Sequence, residues 1–299
     1  VTLFAALLLD ALLGEPRWLW DRAPHPAVLM GRAVGWSDRR FNRPPARAMG
    51  VLCVAGLVIG AGLLGLFIAA LPGGALWSTL IAAILLAQRS LADHVGRVAS
   101  ALGRSLPEGR HAVAQIVGRD TAAMDGAAVA RAAIESAAEN LGDGVVAPAF
   151  WFAVAGLPGI LIYKIVNTAD SMVGYRTPRH EAFGWAAARL DDVLNWIPAR
   201  LTAGLIALAH LRADAWRVIL RDAGLHRSPN AGWPEAAMAV CLDVSLSGPR
   251  AYDGRMQDFP WVFPEGRRDP GAAEIRAAVT ALWRTWALMA ALVALTMAW

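Results

Sequence analysis

Residues Ala48 to Leu71, AMGVLCVAGLVIGAGLLGLFIAAL, run for twenty-four positions without a charged side chain. At 1.5 Å of rise per residue, a helix of that length covers a hydrocarbon core of about 30 Å. Lipid offers backbone N–H and C=O groups no partners, so an isolated span must satisfy them within itself, as a helix does. This one stretch therefore makes the chain an integral membrane protein. Composition agrees: 57% of the 299 residues are apolar and 17% charged, more apolar than an ordinary soluble domain.

Four further runs are candidates for membrane helices. Ala75 to Ala87 is short and is expected to hairpin with the first through Pro72-Gly73-Gly74; Val145 to Tyr163 is interrupted by Pro158-Gly159; Ile197 to Leu211 and Thr285 to Trp299 follow. The opening Val1 to Leu13 carries Asp10 and has neither a basic n-region nor a small-residue cleavage site, so it reads as a structural helix rather than a signal peptide. The expected fold is all-α and polytopic, with about four to five membrane-embedded helices in a single membrane domain over residues 1–299. Arginine-rich flanks place segments of about 15–47, 88–144 and 212–284 on the cytoplasmic side of an inner membrane, and the site with them. Tryptophans near the ends of the runs, Trp18, Trp20, Trp77, Trp196, Trp283 and Trp299 among them, suit the interface. Val145 to Tyr163 fits this topology less well, because both its flanks have cytoplasmic chemistry. A break at Pro158-Gly159 that returns the chain is as compatible with it as a clean crossing.

Several motif matches carry no chemistry. Gly60-Ala-Gly62-Leu-Leu-Gly65 has the letters of a dinucleotide fingerprint, but it lies inside the membrane span, and the residue twenty positions on is Leu85 instead of an acid. Small residues for close helix packing explain it better, with Gly56-x-x-x-Gly60 beside it. No Walker A motif exists, because Lys164, the one lysine, follows a tyrosine in a glycine-free run. His25, His94, His111, His180, His210 and His226 lack metal-ligand spacing. Cys53 and Cys241 suggest no disulfide framework. A net charge of +4 without a basic stripe interleaved with aromatics gives no reason to expect nucleic acid.

The polar residues near the apolar runs are more informative. Thr121 to Leu141 is alanine-rich and is expected to be helical, capped by Asp120 or Thr121. Arg131, Glu135 and Glu139 fall at i, i+4 and i+8, with Ser136, Asn140 and Asp143 adjoining. Stacked carboxylates repel, so the face asks for a cation; the alternative is a solvated face on which Arg131 pairs with Glu135. A helix over Lys164 to Tyr175 would align Lys164, Thr168, Ser171 and Tyr175, with Asn167 at the margin. Asp191, Asp192 and Asn195 cluster between Arg189 and Arg200 just before another apolar run. Ionisable residues at a membrane edge are costly and tend to mark sites or pairs. Together the groups suggest one pocket, in which carboxylates suit Mg²⁺ and the Lys and Arg cations suit phosphate; a network of interhelical ion pairs is the alternative. Asp10-Ala-Leu-Leu-Gly14-Glu15-Pro16 with His25-Pro26 reads as a cap and loop. His226 to Ala239 reads as a loop entering a helix at Pro234, where Asn230, Gly232 and Trp233 could close over a ligand or serve docking. Gly248 to Asp269 reads as a long cytoplasmic loop.

In its LLLDALLGEP, GRDTAAMD, ARAAIESAAENLGDGVVAPAFWFA, GLPGILIYKIVNTADSMVGYR, FGWAAARLDDVLNWIPARLTA and SPNAGWPEAAMA blocks, taken in order, the chain resembles the CobD/CbiB membrane proteins of cobalamin biosynthesis, the adenosylcobinamide-phosphate synthases. The resemblance covers essentially the whole chain. It implies condensation of a propionate of adenosylcobyric acid with (R)-1-amino-2-propanol or its O-phosphate, consuming ATP, with a corrinoid as substrate. Chemistry then suggests roles. Glu135, Glu139, Asp143 and Asp170 are candidates for Mg²⁺. Lys164, Asp170, Asp191 and Asp192 are candidates for catalysis, with Asp191 or Asp192 taking the proton of the attacking ammonium. Arg131, Asn167, Ser171, Tyr175, Arg176, Arg189, Asn195 and Asn230 are candidates for substrate and phosphate. Self-association, or association with other cobalamin-assembly enzymes, is a further expectation. Competing readings are a non-catalytic membrane sensor related to the family, and a Mg²⁺-dependent intramembrane prenyltransferase, for which the polar loops are long and the spans few. A transporter is disfavoured, because no inverted repeat is evident.

Overall fold

The computed structural model describes residues 1–252 and 255–296. The protein is almost entirely helical and folds as two compact units, each discontinuous in sequence: Val1–Ala87 with Asp143–Trp196, and Gln88–Gly142 with Ile197–Trp299. Among the described residues, four helical stretches are long and apolar enough to cross a membrane: Ala46–Ala70, Gly74–Arg104, Gly126–Val173 and Ala272–Leu295. The Ala46–Ala70 helix has a mean hydropathy of 2.7 over its best window with only 11% of that window buried, as a lipid-facing span requires.

In the first unit the span packs through glycine. A Cβ at Gly50 would collide with the Phe183 carbonyl oxygen, and one at Gly65 would lie 2.6 Å from Pro158 Cα. Both positions therefore need the bare backbone. Gly62 approaches Ile162, whereas Gly56 and Gly60 meet nothing within 4 Å. The expected packing role thus holds for Gly62 and Gly65 but not for the Gly56-x-x-x-Gly60 pair. The turn at Gly73, in the left-handed region with φ 73°, leads into the Gly74–Leu85 helix, which packs on the Thr2–Leu13 helix.

The helical run Ala147–Val173 is not one rod. Ala155 (φ −134°, ψ 17°) and Gly156 (φ 61°, ψ −149°) leave helical geometry, and Gly156 takes a left-handed φ that favours glycine. The chain then folds back, so that Gly159 abuts the Trp151 backbone. Tyr163 Oη comes within 3.1 Å of the Asp143 carbonyl oxygen, although twenty residues of straight helix would separate them by about 30 Å. Before the break the outgoing arm from Ala147 has eight residues, about 12 Å, and after it the returning arm to Val173 has seventeen, about 25 Å. The run is a helical hairpin, and its reversal lies at Ala155-Gly156, just before Pro158-Gly159. Ile165, Val166, Ala169 and Val173 on the returning arm bury against Val34, Phe183 and Ala187.

In the second unit the helix over the alanine-rich stretch runs Gly126–Leu141, five residues later than expected. Asp125 caps it by accepting from Ala128 N, while Asp120 instead accepts from Ala122 N in a local turn. Ala130, Ala132, Ala133, Ala137 and Ala138 are wholly buried, the small side chains letting neighbouring elements approach closely. The His226 loop enters its helix at Gly232, placing Pro234 inside the first turn, where a missing N–H costs nothing. The segment read as a long loop after Gly248 is folded: Leu246–Ser247 pairs antiparallel with Trp261–Val262, and Arg250–Tyr252 with Arg255–Gln257. The last helix, Ala272–Leu295, starts thirteen residues before the run at Thr285; Trp299 lies outside the described residues.

Candidate functional site

The first unit gathers a polar network at the mouth of the hairpin. Asp143 begins the outgoing arm, Tyr163 and Lys164 lie midway along the returning one, and Asp191 and Asn195 come from the Trp185–Leu194 helix and its C-cap. Tyr163 is wholly buried, and its single hydroxyl proton is shared between Asn195 Oδ1 at 3.0 Å and the Asp143 carbonyl oxygen. Asn195 Nδ2 donates to Asp191 Oδ2 at 3.0 Å, and Asn167 Nδ2 to Asp191 Oδ1 at 3.3 Å. Burial raises the Asp191 carboxyl above its ordinary range, opposed by those two amides and reinforced by the charge of Asp192. Burial likewise raises Asp192, against Arg189 and Arg176. Lys164 is partly buried, within electrostatic reach of the Asp143 and Glu15 carboxylates. His25, whose Nδ1 accepts from Ala27 N, is shifted down, mainly by burial, with Lys164 adding to the shift and Glu15 opposing it.

Other predicted residues of this unit stand differently. Asp170 folds its carboxylate over Gly174, where a Cβ would collide with it. Arg189 Nη1 donates to Asp192 Oδ2 at 3.4 Å. Ser171, Tyr175 and Arg176 are exposed, and Tyr175 lies beyond the helix end at Val173, off the face it was expected to share. The Thr168 hydroxyl donates to the Lys164 carbonyl oxygen and is spent within the helix.

The second unit builds a cavity of about 210 Å³, lined by Arg119, Arg131 and Arg250 and by Glu135, Asp120 and Asp125. Glu135 is buried. Its Oε2 accepts from Arg119 Nη2 at 2.6 Å and lies 3.2 Å from Arg250 Nη1, and its Oε1 accepts from Ser247 N at 2.8 Å. The face is therefore neither solvated nor paired internally: Arg131 instead donates to the Arg268 carbonyl oxygen at 2.8 Å. Glu139 is exposed. Glu235, only 4% exposed, is pushed well above the carboxylate range by burial first and then by the Glu135 charge. His226 Nε2 lies 3.8 Å from Glu235 Oε2, and burial holds that imidazole below its ordinary pKa. Asn230 is buried, with Oδ1 3.3 Å from Arg200 Nη1, and Arg200 stacks over Trp233 at 4.4 Å.

Sequence reasoning missed Arg119, Arg250, Glu235 and Tyr163. Arg119 and Glu235 stand inside the GRD and GWPE stretches, a signal strong enough to have found them; Arg250 carries no local signal, and a tyrosine in an apolar run reads as core. The fit of a metal is poor. Both Glu135 oxygens are already committed, and among the described residues no three His, Cys, Asp or Glu side chains are grouped to hold an ion.

The family described as CobD/CbiB protein matches residues 3–282. The protein from Rhizobium meliloti (strain 1021) named "Cobalamin biosynthesis protein CobD" is 50% identical over 305 residues, covering 96% of this chain and 93% of its own length. Proteins of the same name from Brucella suis biovar 1 (strain 1330) and Rhodobacter capsulatus are each 48% identical, covering 98% and 87% of this chain and 95% and 87% of their own lengths. No solved structure matches. Alignment at half identity over almost the whole length leaves one conclusion: the chain belongs to the CobD/CbiB family.

Proposed function

We propose that this chain acts in cobalamin biosynthesis, as an ATP-dependent amide ligase joining adenosylcobyric acid to (R)-1-amino-2-propanol or its O-phosphate. The observation that carries this reading is the likeness, over almost its full length, to relatives named for that biosynthesis. The hairpin mouth supplies suitable chemistry. A carboxylate is a poor acyl donor, so the γ-phosphoryl group of ATP passes to a propionate oxygen, giving an acyl phosphate and ADP. The free amine then attacks the carbonyl carbon. The C–N bond forms as the C–O bond to phosphate breaks, and inorganic phosphate leaves with the electron pair. The amine arrives as an ammonium and must lose a proton.

Asp191 is suited to that proton. Its carboxyl is raised toward the working pH and is held in place by Asn167 and Asn195, as a general base requires. Lys164 supplies the fixed positive charge that a developing oxyanion or transferring phosphoryl group needs. The Asp143 and Glu15 carboxylates lie within electrostatic reach of that ammonium. Mg²⁺ enters with ATP, whose phosphate oxygens are hard ligands for it. The reading places the reaction at the cytoplasmic face of an inner membrane, where ATP is found.

The test uses purified detergent-solubilised protein with adenosylcobyric acid, MgATP and either amine, following product mass and ADP together. ATP-dependent gain of the amine mass is expected. Absence of product with both amines, despite corrinoid binding, would replace the ligase by a corrinoid sensor.

A further inference from the structure

Behind Asp191, in the first unit, lies a hydrogen-bonded chain that can run in two directions. Asn195 Nδ2 donates to Asp191 Oδ2 at 3.0 Å, and Tyr163 Oη donates to Asn195 Oδ1 at 3.0 Å. The Tyr163 hydroxyl has one proton but also a second acceptor, the Asp143 carbonyl oxygen at 3.1 Å. Tyr163 and Asn195 are buried, so water does not complete what they leave unmade. Asp191 itself is only half-buried, open to a reacting group.

The spare acceptor has a use once Asp191 changes its protonation. With Asp191 ionised, amides donate to both its oxygens, Asn195 to Oδ2 and Asn167 to Oδ1, while Tyr163 holds the Asn195 oxygen turned away. A proton on Oδ2 would face the Asn195 N–H, donor against donor. Half a turn of that amide, whose oxygen and nitrogen are nearly alike in size, removes the conflict. The Asp191 O–H then donates to Asn195 Oδ1, Asn195 Nδ2 donates to Tyr163 Oη, and the Tyr163 proton goes wholly to the Asp143 carbonyl. Every residue keeps its own protons and only the directions of the bonds reverse, so neither state leaves a buried donor or side-chain acceptor of the chain orphaned.

We propose that Tyr163 and Asn195 are positioning residues that reverse together when Asp191 takes a proton, so that one buried chain holds the carboxylate and the acid in turn. This rests on Asp191 as the base of the ligase reading above. The other charged groups around Asp191 and Tyr163 lie outside the chain of bonds. They are Asp192, facing Arg189 and Arg176; the Asp143 carboxylate, with Lys164 and Glu15 beyond it; and Arg47, which stacks over Trp185 at the far end of the helix.

The sign of one shift tests the reversal. Tyr163 makes one hydrogen bond to the chain in the ionised state and two bonds in the protonated state. Tyr163→Phe therefore takes more from the protonated state and should lower the Asp191 pKa, by about half to one pH unit for one neutral hydrogen bond. A chain of fixed direction gives the opposite result, because Tyr163 would then support the carboxylate alone and its loss would raise that pKa or leave it in place. The experiment titrates the infrared carboxyl band of the detergent-solubilised full chain, carrying isotope-labelled aspartate and no substrate, with Asp191→Asn assigning the band. A midpoint that falls in Tyr163→Phe supports the reversal, and one that rises or stays overturns it. Wild type alone decides the matter where the variant does not fold. With labelled tyrosine, a C–O band should shift at the Asp191 midpoint and stay still in Asp191→Asn; a tyrosine band blind to Asp191 would sink the proposal. Both titrations are read without turnover, so a protein that titrates as expected but forms no amide would lose the ligase reading and keep the reversing chain.

Discussion

Replacing Glu235 by glutamine isolates the energetic consequence of a buried acid. The side chain is 4% exposed, its Oε1 has no hydrogen-bond partner among the described residues, and Glu135 and Glu139 add negative potential that Arg250 and Arg119 only partly offset. Its folded pKa is therefore raised above the unfolded value of 4.5. The sign follows by linkage. Between those two pKa values the native state holds a proton that the unfolded state has released, so the stability contributed is complete below the unfolded pKa and declines as pH rises. The loss is about 1.4 kcal/mol for each pH unit until the folded pKa is reached. His226, 3.8 Å away and shifted down, acts in the opposite direction, losing stability as pH falls below its unfolded value. His226 is present in both proteins, so their difference reports on Glu235. Denaturant midpoints of the solubilised protein from pH 5 to 8 should show Glu235→Gln gaining on wild type as the pH rises. A pH-independent difference, or a variant that is less stable at pH 7 than at pH 5 relative to wild type, would refute the buried-acid account.

Other predictions test the hairpin and its mouth. Gly50→Ala should destabilise by about 1–3 kcal/mol or more, because the methyl meets the unyielding Phe183 carbonyl; Gly56→Ala, with open space around it, should be neutral or gain up to about 1 kcal/mol of helix propensity in thermal melts. Tyr163→Phe should cost about 1–3 kcal/mol by leaving buried Asn195 Oδ1 without its donor, read in the same melts. Lys164→Ala should stay folded and membrane-bound while amide formation falls by about a hundredfold or more; normal turnover would return the residue to interfacial anchoring. The rate of wild type should fall as pH drops through the raised Asp191 pKa, and Asp191→Asn should lower activity and flatten that acidic limb; an unchanged limb would remove Asp191 as the base.

Much of the architecture was legible from local constraints. A charge-free run must be a helix in lipid, Pro72-Gly73-Gly74 must turn, and the order of the polar blocks resembled a family that the alignments then showed. The polar residues of the Lys164 and Asp191 stretches were expected to meet, and Asn167, Asp191 and Asn195 do. Helix starts shifted where a nearer cap competed, as Asp125 did with Asp120.

By itself, then, the sequence determined the solvent this chain lives in, its helical class and the residue types available for chemistry, because each follows from length, charge and backbone hydrogen bonding within a few turns. Only the tertiary structure decided that Ala155-Gly156 reverses the chain, and that Tyr163 closes on Asp143. It alone also decided that Glu135 is claimed by Arg119, Arg250 and Ser247 N, the last from 112 residues away. Such choices are made by packing between elements, where one glycine's φ or one folded loop redirects a charge, and no local pattern records them.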